Sequence, residues 1–462
     1  MKKSLSLLAA AALLGTLVPA ALAQAVDPGV PVGNDSNLSL NVYGRGQLFS
    51  VLQNVPDPRR DNNRAYMFLK ESRLGVKGDY DGTFKYDLQL AFGGEDANGS
   101  NTDMSLLDFA ADVPIKPLGE NTVFKFGQFR VPFGREGLTD RGYMDFGERS
   151  VANLPVYQGR DYGMAIMATH GVWTGTLGTW SGGGRNVPQR FLPERLGVPE
   201  LVARFGYNDG VDEDIYHVKG VDLGVNRTEK AAYISALFTH DTQIGHSTAL
   251  GVHTIDTNLM LDANYNPYLK NGGPNGGVGN YALNSVGSAD TMQRGDYWAL
   301  GTDAAIRHPL GNGQAVAAEF EANWTGFQNR FGVLHMASGR VQGEYEVGPF
   351  GIGLRYALLS MDKKSGYLTA AASPAKGATN TNGNMAKPIQ EITPALAWHV
   401  KGHNLKVVAD LPIYPNCPTF YDPNLGVYAF PDPTAVDEVT VSGGSTQRHT
   451  VTEARLLIQF MF

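Results

Sequence analysis

Residues 452–462 read TEARLLIQFMF. Ala454, Leu456, Ile458, Phe460 and Phe462 fall on one side of an extended chain. Glu453, Arg455 and Gln459 fall on the other, with Leu457 as the exception. Alternation of period two over about ten residues predicts a strand. A strand with one apolar face and one charged face, running to the last residue, has to hide the apolar face. A protein core or a lipid bilayer would serve, and the rest of the chain decides between them.

The same alternation recurs. In TFKYDLQLAF, Phe84, Tyr86, Leu88, Leu90 and Phe92 oppose Lys85, Asp87 and Gln89. In AVAAEFEANW, Val316, Phe320 and Trp324 oppose Glu319, Glu321 and Asn323. In FGIGLRYALL, Ile352, Leu354, Tyr356 and Leu358 oppose Gly351, Gly353 and Arg355. A soluble sandwich also alternates, but its strands average about five or six residues. These run to about ten, the length that crosses a bilayer at a tilt.

Short and long connections also alternate. Strands are expected near 38–53, 65–78, 83–93, 104–113, 122–131, 296–307, 314–325, 332–348, 350–361, 389–400, 404–412 and 448–462. Longer loops are expected at 54–64, 94–103, 264–295, 362–388 and 413–447. Between 210 and 263 lie three candidate strands, near 218–225, 230–240 and 249–263, of which parity admits one or three. The twelve strands bounded above are not the whole set: for the full barrel, one of these candidates gives sixteen strands in total and three give eighteen, and sixteen is the expectation. The fold class is therefore all-β, a closed antiparallel transmembrane barrel whose last strand pairs with its first and leaves no edge.

The N-terminus carries Lys2 and Lys3, an apolar run from Leu5 to Val18, and Ala21-Leu22-Ala23. This reads as a cleaved secretory leader over 1–23, followed by a short periplasmic segment, 24–37, and the barrel, 38–462. The expected destination is a bacterial outer membrane, with its lipid and lipopolysaccharide as surroundings. One cysteine, Cys417, permits no internal disulfide framework. The formal net charge is −7, and more negative once Lys2 and Lys3 leave, which argues against nucleic acid as a partner.

Catalytic and cofactor motifs are weak. Gly245-His246-Ser247-Thr248-Ala249 lacks the strand–turn–helix context of a nucleophile elbow. Asp96, Asn98, Ser100 and Asp103 offer loop oxygens for Ca²⁺ without the full spacing or the closing Glu. The ten His are dispersed, with no metal-binding spacing. No enzyme, metal site or cofactor is expected.

Several stretches resemble the phosphate-selective porins O and P of Gram-negative outer membranes. They are VFKFGQFRVPFG at 123–134, ERSVANLP at 148–155, GRDYGMAI at 159–166, GPFGIGLRYALLSMD at 348–362, ITPALAWHVKGHNLKVVAD at 392–410 and the closing RLLIQFMF. The resemblance implies a sixteen-stranded, homotrimeric porin passing small ions and solutes, with inward-folded loops and basic side chains guiding anions. The negative charge departs from that of a strongly anion-selective member.

Selectivity resides at the narrowest section, where a low-dielectric wall focuses the field. The segment 132–161 is the expected inward loop. Its Arg135, Arg141, Arg149 and Arg160, with Lys125 and Arg130 leading in, are the anion-guiding candidates, joined by Arg45, Arg73 and Lys85 on strand faces turned to the lumen. Arginine suits oxyanions because its planar donor fork binds two oxygens and never loses its charge. Glu136, Asp140, Asp145, Glu148 and Asp161 share the segment, so the alternative is that acids and arginines pair to hold the loop. Acidic and basic lumen candidates balance overall, which fits a transverse field. The rival functions are a non-selective or mildly cation-preferring pore and a structural or adhesive surface barrel.

Overall fold

The computed structural model describes residues 30–35, 38–57, 60–92, 104–119, 121–153, 156–181, 198–219, 226–243, 294–329, 332–361, 388–422, 427–431 and 446–462. The expected leader, the loop around Asp96, the GHSTA stretch and the candidate strand 249–263 lie outside them.

Sixteen antiparallel strands close a barrel among the described residues. In order they are Leu38–Asp57, Arg60–Tyr80, Phe84–Phe92, Met104–Pro114, Thr122–Arg130, Arg160–His170, Trp173–Trp180, Val198–Asp209, Glu229–Gln243, Arg294–Gly311, Gln314–Asn329, Gly332–Val347, Phe350–Met361, Ile389–His403, the broken strand Leu405–Asp410 with Ile413–Asp422, and Thr446–Met461. Each pairs with its sequence neighbour, and Thr446–Met461 closes the ring on Leu38–Asp57, with Leu457 opposite Phe49. At the seam, Gly44 N–H donates to Phe462 O at 3.0 Å and Phe462 N–H returns a bond to Gly44 O at 3.1 Å.

The alternation has the sense expected of a membrane barrel. Ile352, Leu354, Phe320, Trp324, Phe460 and Phe462 are exposed on the outer surface, while Arg355, Glu321, Glu453, Arg455 and Gln459 are buried inside. Leu457, the exception in the terminal stretch, faces inward and joins the buried apolar cluster with Phe49 and Val51. Among the described residues no helix is long and apolar enough to cross a membrane; the strands do the crossing.

Several boundaries correct the sequence reading. The loop expected at 54–64 is largely ladder, because Asp57 pairs with Arg60 and Pro56 with Asp61. The strand expected to stop at 412 is only interrupted at Leu411-Pro412, where proline cannot donate to the ladder, and resumes over Ile413–Asp422. In the ambiguous region Glu229–Gln243 is the strand, which keeps the count at sixteen. Residues 218–219 of the first candidate there belong to no strand. A short strand, Val30–Asp35, also pairs with the start of Leu38–Asp57, and Val427–Pro431 pairs with Ile413–Asp422.

Candidate functional site: the lumen constriction

After Arg130 the chain turns into the lumen instead of leaving the barrel. Gly134 and Gly159, both at φ +69°, mark the two ends of the turn inward, a conformation that costs glycine little. A Cβ on Gly134 would also lie 2.5 Å from Glu321 Oε1. Between these glycines the described residues form three short helical turns, Arg135–Leu138, Arg141–Tyr143 and Val151–Asn153. Phe133, Leu138, Phe146, Val151 and Val156 are buried.

A segment with so little regular structure leaves backbone groups needing partners, and the barrel wall supplies them. Glu321, Glu391 and Asp410 accept from the N–H groups of Glu136, Val151 and Gly147, each at 2.8 Å. Lys70 donates to Gly147 O at 2.8 Å, Lys406 to Met144 O at 2.6 Å, Arg355 to Glu148 O at 2.9 Å, and Gln459 to Gly142 O at 2.9 Å. Wall residues from distant strands thus read the backbone of this one segment.

Lys70 was not foreseen as a lumen residue. Strict alternation turns Glu71 inward and Lys70 outward. A bulge changes this: Gln47 pairs with Glu71 while the next residue, Leu48, pairs with Leu69. Skipping one residue lets Lys70 and Glu71 both face inward, and both are buried.

A second segment enters from the opposite, short-turn end. Between Val198–Asp209 and Glu229–Gln243, residues Val211, Asp212, Ile215, Tyr216 and Val218 are buried. Val218 makes a parallel bridge with Thr139, and Tyr216 packs edge-on against Phe129 at 5.7 Å. Arg307 donates to Val211 O at 3.0 Å and to Lys219 O at 2.9 Å. The two inward segments meet inside the barrel.

Charges there are segregated. Arg73, Arg130, Arg141, Arg149 and Arg160, with Gly137, Tyr157 and Gly159, line a space of about 310 Å³. Arg73 pairs with Glu71 at 2.6 Å, Arg130 with Asp140 at 2.6 Å, Arg141 with Glu148 at 3.2 Å, and Arg160 with Asp108 at 2.8 Å. Arg149 is held instead by the carbonyls of Glu136 and Thr139, at 2.9 and 3.0 Å, and lies 4.8 Å over the Tyr157 ring. A second space, of about 280 Å³, is lined by Glu136, Asp145, Glu319 and Glu344 together with Arg340, Gln342 and several neutral residues. One side of the constriction is rich in guanidinium groups and the other in carboxylates.

Of the candidates read from sequence, five gather at this arginine face. Arg45 lies beside them, bridging Glu71 at 2.6 Å and also contacting Asp140. Lys125 is engaged with Asp112 at 2.9 Å. Lys85 is exposed, close to the turn at 81–83. Arg135 is elsewhere, fully buried between Asp212 and Asp303.

Three of the segment's carboxylates, Asp140, Asp145 and Glu148, are stabilised as anions. Burial alone would raise Asp140, but Arg45 and Arg130 hold it well below the usual carboxylate range. The same opposition lowers Glu148 through Arg141 and Lys70, and Asp145 through His399 and Lys406.

Residues 40–190 match the family model described as phosphate-selective porin O and P. The resemblance read from the sequence is to this same family. The matched region includes the arginine-bearing inward segment. Over the whole fold, the chain is similar to the anion-selective porin from Comamonas acidovorans, at 12% identity and TM-score 0.53, covering 92% of this chain and 100% of that one. It is also similar to Pseudomonas putida OprB, at 12% identity and TM-score 0.52, covering 92% and 94%. A third is the outer membrane channel DcaP of Acinetobacter baumannii, at 10% identity and TM-score 0.51, covering 93% and 100%. At these identities the likeness is one of fold alone, a closed antiparallel β-barrel. No curated protein matches the chain in sequence.

Proposed function

We propose that this chain is an outer-membrane porin for small hydrophilic solutes and ions, with anions favoured at the constriction. One observation carries the preference: Arg73, Arg130, Arg141, Arg149 and Arg160 line a single space inside the barrel. Arg45 stands beside them, and Glu71, Asp108, Asp140 and Glu148 pair with members of this set. Among the described residues the lining itself carries five guanidinium groups and no carboxylate, although the chain is net negative. A passing anion meets guanidinium groups already fixed in place, so little reorganisation is required as it sheds water. The anion-selective Comamonas relative supports the same reading. Export through a cleaved leader at 1–23, and assembly as a homotrimer, belong to this proposal.

A second reading, a non-selective or mildly cation-preferring pore, is favoured by the acidic space on the opposite side. Single-channel recording in a planar bilayer under a KCl gradient separates the two. A reversal potential toward the chloride equilibrium, with added phosphate reducing the current, supports the anion reading. A potential near zero or toward potassium replaces it with the second.

A further inference from the structure

We propose that Asp145, His399 and His403 form a binding site for a divalent transition-metal ion of the Zn²⁺ class, at a point where the first inward segment is pinned to the wall. The proposal does not depend on the pore's ion preference.

The ligands converge by two routes. His399 and His403 are four residues apart on the strand Ile389–His403; a shift of register between His399 and Lys401 breaks the strict alternation, and both histidines are buried. Asp145 arrives on the inward segment, 254 residues away in sequence from His399. One ligand atom from each residue lies within 4.8 Å of the other two, and all three side chains are buried. His399 Nε2 is 3.0 Å from Asp145 Oδ2. His399 Nδ1 is buried without a hydrogen-bond partner, and the ring packs edge-on against His403 with centroids 5.0 Å apart. Gly351 keeps the adjoining space open: a Cβ there would lie 3.3 Å from Asp145 Oδ2 and 3.7 Å from His399 Nε2.

Two imidazoles and one carboxylate are a donor set for Zn²⁺ and related ions, with water filling the remaining position. Mg²⁺ is disfavoured because it demands six oxygens in near-ideal geometry. The cluster already attracts a cation. Lys406 Nζ lies 3.4 Å from Asp145 Oδ1 and 3.3 Å from His403 Nδ1. Its bond to Met144 O at 2.6 Å gives the ammonium a partner to keep when a metal takes over the carboxylate and imidazole. Lys406 is therefore a built-in competitor, and a bound metal would replace it as the link between segment and wall.

The test is calorimetric titration of the full mature barrel, folded in detergent and without an affinity tag, first with ZnCl₂ and then with MgCl₂. The expected result is one saturable Zn²⁺ site that excess Mg²⁺ does not displace. Asp145→Asn, His399→Ala and His403→Ala should each weaken it by at least about tenfold. Lys406→Met keeps all three ligands and removes the competitor, so it should bind more tightly. No saturable Zn²⁺ binding by the native barrel overturns the proposal, even if Lys406→Met binds. Native affinity retained in the three ligand variants overturns it equally.

Discussion

Arg135 donates both terminal nitrogens to Asp212, at 3.0 and 2.7 Å, across 77 residues of chain. The two side chains come from segments that enter the lumen from opposite ends, and both are fully buried. Asp303 adds a contact to Arg135 Nε at 3.3 Å and holds Arg204 through a 2.6 Å bond. This ion network joins the two halves of the constriction.

Asp212→Asn should loosen that junction. Removing one partner of a buried pair costs about 3 kcal/mol, because the other charge stays buried with too little compensation. Asp303 still contacts Arg135, so the barrel should fold. The expected phenotype is a larger and noisier single-channel conductance. A trace indistinguishable from native would mean that packing of Tyr216 and Val218, not the ion pair, sets the constriction.

Arg149→Gln should lower the anion-to-cation permeability ratio by roughly two- to threefold, since a fixed charge at a constriction acts through a focused field. Arg149 is held by backbone carbonyls and the Tyr157 ring. Glutamine removes the charge without stranding a paired carboxylate. Reversal potential in a salt gradient is the readout, and an unchanged value would assign Arg149 to holding the segment alone.

The inward segment should be acid-tolerant. Asp140, Asp145 and Glu148 have carboxyls held below their ordinary values. Such groups add stability at pH above the unfolded-state values of about 4, and lose that contribution as pH falls toward the folded-state values. Conductance and current noise should stay constant from neutral pH to about pH 4.5 and change only below about pH 4. A transition near pH 6 would show that carboxylate pairing does not control docking.

Leu354→Arg tests the membrane face. Leu354 is 58% exposed on the outer surface, near the middle of Phe350–Met361. Arginine on a lipid-facing position near the bilayer midplane costs about 2–4 kcal/mol. Denaturant unfolding in lipid vesicles should show that loss, whereas a neutral result would place this surface against protein.

Much of the barrel was legible in the sequence because period-two alternation is local. In TEARLLIQFMF the outward set Ala454, Ile458, Phe460 and Phe462 and the inward set Glu453, Arg455 and Gln459 are where alternation puts them. Parity of connections left sixteen or eighteen, since antiparallel strands must alternate ends, and the pairing of Glu229–Gln243 with both Val198–Asp209 and Arg294–Gly311 gives sixteen. The arginines of the segment after Arg130 were legible as a group, being close in sequence. What they pair with was not. Lys70 turns inward through a bulge that alternation cannot reveal, and Asp212 reaches Arg135 only when two segments fold into one lumen. Asp145 meets His399 and His403 for the same reason. The sequence by itself determined most of the strands and their two faces, because a strand in lipid must satisfy its backbone in the ladder and turn apolar side chains outward. Arg160–His170, Trp173–Trp180 and Val198–Asp209 were not among them. Only the tertiary structure decided which charges meet, because those encounters depend on ring closure and on irregular segments whose backbone groups are satisfied by distant wall residues.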